Sequence, residues 1–474
     1  QIAQNQTPQR NKSSQGICDM ISSNGMETST PVNSSGSTIH SRNRIQSATF
    51  SHHSFETGRP WLTDFQAFCQ TNETEQFPLH SDDYTSVIES YYETHGKPDH
   101  WLSRNARLFL MKLANSIHDN IQHLLVPWDF DVVLSNEAHH FLKPSTTTAL
   151  GDWYGQLCHS IGCYHDNLTF RQKSSGTQFQ ETHDCILAAP LTGLVSHSDD
   201  NVVTESNPQH AINRALSFII EHRSHLKTHG TAIFVVPNGL LEDSKARELL
   251  KDHGLHPTVV VDLPPEELPQ TDDHYQVIAL VPRTVEKILV GKWVNDSKHE
   301  DRLLHWIKNR MASECTRVVP HYVYKNFTRI DTDEQLQRRA KRMGLTPHKA
   351  SSVFENIQFY KDYRDITEEP VNALYLPENI SASATSTKGD LNSDVGSFYC
   401  VTIDPDYAKA DYLALLLNTS FGLLWRKGIE GNRCNQIDTN LLLSSSVYLP
   451  PDNTKGCQEN TIQAINDLNL FRNE

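Results

Sequence analysis

One short stretch of the chain clusters cysteine and histidine side chains. The stretch CHSIGCYH carries Cys158, His159, Cys163 and His165, and thiolate and imidazole groups are ligands that zinc prefers. A zinc site also needs a second pair of ligands at short spacing, and the sequence offers none at such a spacing. We therefore expect buried thiols and surface imidazoles here, and no metal.

The stretch DCILAAPLTGL, residues 184–194, has the form of a buried strand followed by a loop. Loops at the carboxyl ends of parallel strands commonly carry ligand-binding groups. This loop offers neither a side-chain amide nor an aromatic face in its residues Ala189, Pro190, Leu191 and Thr192. Asp184, before the apolar run, is compatible with either a backbone cap or a cofactor contact.

The elements that would position these residues alternate between strands and helices from 129 to about 283. The segments DFDVVLS, DCILAAP, TAIFVVP, PTVVVDLP and YQVIALVP are strand-like, and PQHAINRALSFIIEHRSHL and SKARELLKDHG are helical. Such alternation is typical of an open, mostly parallel α/β sheet. Ligands bind such sheets beyond the carboxyl ends of their strands.

Composition and periodicity divide the chain into five expected regions. Residues 1–53 are polar and expected to be disordered; 54–128 are helical; 129–290 form the α/β domain; 291–370 connect, with helices at 300–313 and 333–342; and 371–474 form a further α+β domain ending in a helix from Asn460.

Charge, cysteine usage and apolar run length limit the class of protein. The formal charge of −15 repels nucleic acid, so any DNA contact needs a local patch. The nine cysteines are an odd number without Cys-x-x-Cys, which argues against a disulfide framework and favours a reducing cytoplasm. No apolar run approaches the roughly 20 residues of a membrane span, and the opening residues lack a secretory pattern.

Four segments in the same order carry a family resemblance: HDCILAAPLTG, NRALSFIIEHRSHLKTHGTAIFVVPNGLLED, ARELLKDHGLHPTVVVDLPPEEL and YQVIALVPR. They resemble the catalytic domain of N6-adenine DNA methyltransferases of the type found as modification subunits of type I restriction–modification systems. The resemblance implies a Rossmann-like S-adenosylmethionine-dependent methyltransferase fold.

The active loop departs from the family pattern. In the family, an Asn side chain and a Pro carbonyl accept hydrogen bonds from the adenine amino group, and an aromatic residue stacks on the flipped base. Here Ala189 stands for the Asn, Leu191 for the second Pro and Thr192 for the aromatic residue, while Pro190 is kept. The resemblance therefore implies a loop without its catalytic groups.

The cofactor turn of the family, Asp-Pro-x-x-Gly-Ser-Gly, also lacks a match. We expect a strand at Val132–Leu134 that leads into Ser135, Asn136, Glu137, Ala138, His139 and His140, with the two imidazoles in the cofactor's place. No glycine occurs between Lys97 and Leu150, and glycine is what lets the backbone approach the cofactor. We therefore expect no bound cofactor.

Residues 371–451 resemble the target-recognition domains of type I specificity subunits. The likeness rests on a helix at Tyr412–Gly422, a polar turn from Gly431 to Leu441 and the closing Val447–Pro451. It implies DNA contacts, since polar and basic loop side chains contact bases and phosphates. The candidates are Arg426, Lys427, Asn432, Arg433, Asn435 and Gln436, with a second basic stretch at Arg338, Arg339, Lys341 and Arg342.

Three hypotheses follow from these patterns. The favoured one is a catalytically degenerate methyltransferase-like protein of a restriction–modification or defence system, which binds DNA or partner subunits and no membrane. The second is an active adenine-N6 methyltransferase with an atypical S-adenosylmethionine site. The third is an interaction scaffold that does not bind DNA, which the −15 charge favours.

Overall fold

The computed structural model describes residues 81–95, 101–127, 129, 132–151, 167–172, 181–188, 208–268, 273–391, 396–451 and 458. Four predictions concern residues outside these ranges: disorder at 1–53, the Cys158–His165 cluster, the loop at 189–192 and the helix from Asn460. Two compact units divide the chain, Gln1–Thr271 with Gln276–Tyr322, and Asp272–Tyr275 with Val323–Glu474. The division at 322/323 falls inside the segment predicted as a connection.

A nine-stranded sheet in the order β3-β2-β1-β4-β5-β7-β6-β8-β9 forms the centre of the first unit. Its strands are β1 His123–Pro127, β2 Thr146–Gly151, β3 Leu168–Gln172, β4 His183–Ala188, β5 Leu226–Pro237, β6 His256–Asp262, β7 Tyr275–Val281, β8 Lys287–Lys292 and β9 Thr316–Pro320. Strands β1 to β5 pair in parallel, and β7 runs antiparallel to β6. The predicted mostly parallel α/β fold is confirmed.

The described part of the first unit includes six α-helices, and several begin at a residue type that caps helices well. They are α1 Ser81–His95, α2 Arg104–Ile117, α3 Val133–Leu142, α4 Pro208–Glu221, α5 Ser244–Asp252 and α6 Ser297–Asn309. Ser103, Asp243 and Asp296 accept first-turn N–H groups of α2, α5 and α6. Gly254 follows α5 in the left-handed conformation, as the sequence predicts.

The second unit contains a three-stranded antiparallel sheet in the order β11-β13-β12 and a two-stranded sheet β10-β14. Its elements are α7 Phe327–Met343, β10 Thr346–Lys349, α8 Ala350–Val353, β11 Phe354–Tyr360, β12 Ala373–Pro377, β13 Phe398–Ile403, α9 Ala410–Leu417, α10 Ser420–Gly428, α11 Thr439–Ser444 and β14 Ser446–Leu449.

The single helix predicted at Tyr412–Gly422 is wrong, because the chain turns between α9 and α10. The hydroxyl of Thr419 caps α10 by accepting the N–H group of Gly422 at 3.2 Å. A Cβ atom at Gly422 would lie 2.2 Å from the Cα atom of Leu417, so this corner requires glycine. No helix in the described ranges is long and apolar enough to cross a membrane.

Candidate functional site

The family that the sequence resembles binds its cofactor at the turn after the first strand. In this structure the first strand, β1, lies earlier in the sequence than predicted. The strand predicted at Val132–Leu134 is wrong, because Val133–Leu142 forms helix α3. The first strand is instead the preceding run HLLVP, which is buried at its last four residues. A short apolar run is compatible with a strand or with a helix, so the sequence DVVLS alone does not distinguish the two.

A left-handed valine stands at the last glycine of the family's cofactor turn when Pro127 is matched to the proline of that turn. Pro127 ends β1, and counting along Asp-Pro-x-x-Gly-Ser-Gly from this proline brings the last glycine to Val132. Val132 has φ 63° and ψ 7° and is fully buried. This conformation is a genuine outlier for a β-branched residue. The proline after an apolar run was the sequence signal for this register.

The side chain of Asp129 makes a hydrogen bond at the start of α3. Its N–H group donates to the carbonyl of Leu150 on β2 at 3.0 Å, which ties the turn to the neighbouring strand. Its carboxylate accepts the N–H group of Ser135 at 2.6 Å, and Asp129 is itself buried. Free N–H groups at a helix start commonly bind anionic ligand groups. Here the chain's own carboxylate holds that position.

An ion-pair cluster fixes α3 against the N-terminal helices. The guanidinium of Arg107 on α2 contacts Glu137 on α3 at 2.7 Å and Glu89 on α1 at 2.6 Å, and it lies 4.8 Å from the centre of the Trp101 ring. Burial lowers the pKa of Arg107, but the two carboxylates outweigh burial and raise it. The helix that follows β1 is therefore held rigidly from its outer side.

The six residues predicted as the cofactor turn lie on α3 instead. Ser135, Asn136 and Ala138 are buried, Glu137 and His139 are half-buried and His140 is exposed. The ring of His139 contacts the Thr147 hydroxyl at 2.8 Å. Both predicted imidazoles, those of His139 and His140, lie in the last turn of the helix. The expected placement of these residues in a turn after a strand is wrong, because they lie within helix α3.

Two described residues, Asp129 and Val132, differ from the glycine-rich cofactor turn of the family that the sequence resembles. A buried valine replaces the glycine that permits close approach of the backbone, and Asp129 occupies an N–H group at the helix start. Both groups are inward-facing and packed.

Asp184 is a structural cap. Its carboxylate accepts the N–H groups of Gln122 at 3.2 Å and His123 at 2.9 Å and pairs with Lys227 at 2.9 Å. Burial raises the pKa of Asp184, and these partners outweigh burial and lower it. It lies at the start of β4, the opposite end from the loop at 189–192. Among the described residues, no group of three or more His, Cys, Asp or Glu side chains could hold a metal ion.

Arg426 is misassigned as a DNA contact. It is 1% exposed, and its guanidinium donates to the carbonyls of Ala382 and Leu417 inside the second unit. Burial lowers its pKa. The side chain ties the last turn of α10 to the carboxyl end of α9, because Leu417 is the last residue of that helix.

The other candidates surround a closed turn after α10. Gly431 donates to the carbonyl of Gln436 at 2.7 Å, and Gln436 donates to that of Arg433 at 3.3 Å. Lys427 and Asn435 are exposed, and Asn432, Arg433 and Gln436 are half-buried. Asn435 is left-handed, with φ 60°, a conformation that asparagine tolerates well.

Helix α7 presents the second basic group. Its inner side is formed by Phe327, Thr332, Leu336 and Ala340, whereas Arg338, Arg339, Lys341 and Arg342 are all exposed. We call these four residues the basic end of α7. Asn326 caps the start of the helix and Gly344 its end.

The strand order β3-β2-β1-β4-β5-β7-β6, with β7 antiparallel to β6, defines the class as a Rossmann-like methyltransferase fold. Comparison with protein-family models and with curated proteins gave no match.

Solved structures that are similar to the chain include three restriction–modification proteins. The methyltransferase subunit of a type I restriction–modification system from Streptococcus thermophilus is 14% identical, with a TM-score of 0.38 over 51% of this chain and 60% of its own. The type IIG restriction endonuclease BpuSI is 8% identical, with a TM-score of 0.42 over 82% of this chain and 63% of its own. The M protein of the type I restriction enzyme EcoKI is 15% identical, with a TM-score of 0.28 over 44% of this chain and 51% of its own.

Proposed function

We propose that this chain is an N6-adenine-methyltransferase-like protein of a restriction–modification or defence system that has lost methyl transfer and acts by binding DNA or a partner subunit. The observation that carries the proposal is the filled turn after β1. Buried Val132 takes the position of a family glycine, and Asp129 takes an N–H group at the start of α3. These contacts support a fold that persists without its cofactor.

The second unit supplies the surface for DNA. The basic end of α7 brings four exposed cations within one and a half helical turns. Exposed Lys and Arg side chains are the groups that neutralise phosphates. Because the whole chain carries −15, a local concentration of positive charge is what DNA binding requires of it.

The turn after α10 supplies candidate base contacts. Asn435 and Lys427 are exposed there, and Gln436 and Arg433 are half-buried. Amide side chains pair with adenine edges, arginine with guanine edges and lysine with phosphates or guanine. In this proposal the basic end of α7 gives affinity and the turn gives sequence preference.

The test is fluorescence anisotropy on a random duplex pool at several salt concentrations, with the full chain. The double variant Arg338→Ala, Arg342→Ala removes two charges four residues apart on α7. It should weaken binding to all sequences and lower the log–log salt slope by about 2, since each phosphate contact contributes about 0.9. The matched control, Lys298→Ala with Arg302→Ala, removes two exposed charges at the same spacing on α6 and should leave both quantities unchanged.

Two results would contradict the DNA part of the proposal. One is the absence of binding by the unaltered chain at low salt, which would leave a partner subunit as the binding target. The other is an equal loss in the α7 and α6 variants, which would show a response to total charge and no defined contact.

A further inference from the structure

A cysteine, a histidine and a glutamate form a linear array within the second unit. The sulfur of Cys434 lies 3.8 Å from Nδ1 of His274, and Nε2 of the same ring lies 3.1 Å from Oε1 of Glu430. The imidazole therefore contacts a thiol with one nitrogen and a carboxylate with the other. This is the arrangement in which a base orients and activates a nucleophile and a third group orients the base.

The backbone fixes the array at each member. The N–H group of His274 donates to the carbonyl of Asn432 at 2.6 Å. The Glu430 carboxylate also accepts the N–H group of Asn435 at 2.5 Å, which closes the turn that carries Cys434. The histidine and the glutamate are thus each held by a backbone group of the same turn.

The charges of the array favour a reactive sulfur. Burial lowers the pKa of His274, but its contacts with Cys434 and Glu430 outweigh burial and raise it to about 9. For Glu430, burial raises the pKa, and the contacts with His274 and Asn435 outweigh that and lower it. The ring is then an imidazolium at neutral pH, so a cation and proton donor lies 3.8 Å from the sulfur of Cys434.

Exposure separates this cysteine from three others. Cys185, Cys315 and Cys400 are buried, whereas Cys434 is partly accessible. A reactive cysteine needs both a cationic neighbour and access for the reagent. Among the described cysteines, Cys434 combines the two.

We propose that Cys434 is a modification site that reacts with hydroperoxides. The sulfur attacks the terminal oxygen of the hydroperoxide, the O–O bond breaks, and the sulfur is oxidised to a sulfenic acid. His274 donates its ring proton to the departing oxygen, which leaves as an alcohol or, from hydrogen peroxide, as water. Glu430 is a positioning residue that holds the ring in the orientation for both steps.

The test is labelling of the full chain at pH 7 with hydrogen peroxide and dimedone, which traps sulfenic acid, followed by peptide mapping. We expect label on Cys434 and none on Cys400 of the same unit. His274→Gln should slow labelling of Cys434 about tenfold or more, because it removes the proton donor for the departing oxygen next to the sulfur. Glu430→Gln, which keeps an acceptor for Asn435, should slow it less.

The matched control is His348→Gln, which changes a half-buried histidine of the same unit that contacts Tyr407. It should leave the labelling rate of Cys434 unchanged. The proposal is overturned if Cys434 stays unlabelled in the unaltered chain, or if His274→Gln and His348→Gln label Cys434 at the unaltered rate. This readout needs neither DNA nor S-adenosylmethionine, so it stands or falls separately from the proposed function.

Discussion

At the scale of single residues, the side chains of Val132 and Asp129 lie buried at the start of α3, after β1. Val132 adopts a conformation that costs a non-glycine residue on the order of 1–3 kcal/mol, and its complete burial offsets that strain. Asp129 satisfies a buried N–H group at the start of α3. Both side chains are packed inside the protein, whereas a cofactor site leaves such space open for its ligand.

Removing the Asp129 carboxylate should therefore destabilise the first unit. We expect Asp129→Ala to lower the free energy of unfolding by about 1–2 kcal/mol, because it leaves the N–H group of Ser135 buried without this acceptor. Asp129→Asn keeps an oxygen at the same place and should cost less than half as much. Urea denaturation followed by circular dichroism measures both, and equal losses in the two variants would argue against the capping role.

A buried histidine should make the first unit less stable in acid. Burial of His183 at the start of β4 lowers its pKa from 6.5 to about 4. Between these values the unfolded chain takes up a proton that the folded chain does not, so stability is full above pH 6.5 and falls as the pH drops towards 4. The loss due to this residue is about 3 kcal/mol at most, at about 1.4 kcal/mol per pKa unit.

The variant His183→Gln isolates this contribution from that of the carboxylates. We expect its unfolding free energy to fall less steeply between pH 6.5 and 4 than that of the unaltered chain. Parallel slopes for the two proteins over this range would contradict the assignment.

At the scale of elements, α3 depends on α1 and α2 for its position. Arg107 is 3% exposed and joins carboxylates from both other helices of this group. Because Arg107 is buried, its removal leaves the carboxylates of Glu89 and Glu137 without a cation where water solvates them poorly. Losing this ion pair therefore costs more than losing a surface ion pair.

We expect Arg107→Ala to lower the free energy of unfolding of the first unit by about 3–5 kcal/mol, the usual cost of breaking a buried ion pair. The control is Arg302→Ala, which breaks the exposed pair with Glu314 and should cost less than about 1 kcal/mol. Thermal denaturation of both variants measures the difference. Similar small shifts in the two would contradict the bracing role of Arg107.

The elements also show which parts of the fold can be predicted from the sequence. Runs such as TAIFVVP and PTVVVDLP predict their strands correctly, because long β-branched runs between turn residues have few alternatives. DVVLS does not, since two valines fit a strand while the capping carboxylate of Asp129 starts a helix there. The buried arginine at 426 and the Cys434–His274 contact join residues that are distant in the sequence, and periodicity carries no signal for such contacts.

At the scale of the whole molecule, an acidic chain carries a few concentrated basic residues. The charge of −15 opposes long-range attraction to DNA, so the proposed DNA binding requires the basic end of α7, and we expect it to weaken with salt. The first unit has the strand order of a Rossmann-like methyltransferase fold, and we propose that its cofactor turn is filled.

The most direct measurement is isothermal titration calorimetry of S-adenosylmethionine into the purified full chain. With Val132 and Asp129 filling the turn after β1, we expect no binding heat at millimolar ligand, which corresponds to a binding free energy weaker than about −4 kcal/mol. A micromolar dissociation constant would contradict the account, because it would show that the turn still admits the cofactor.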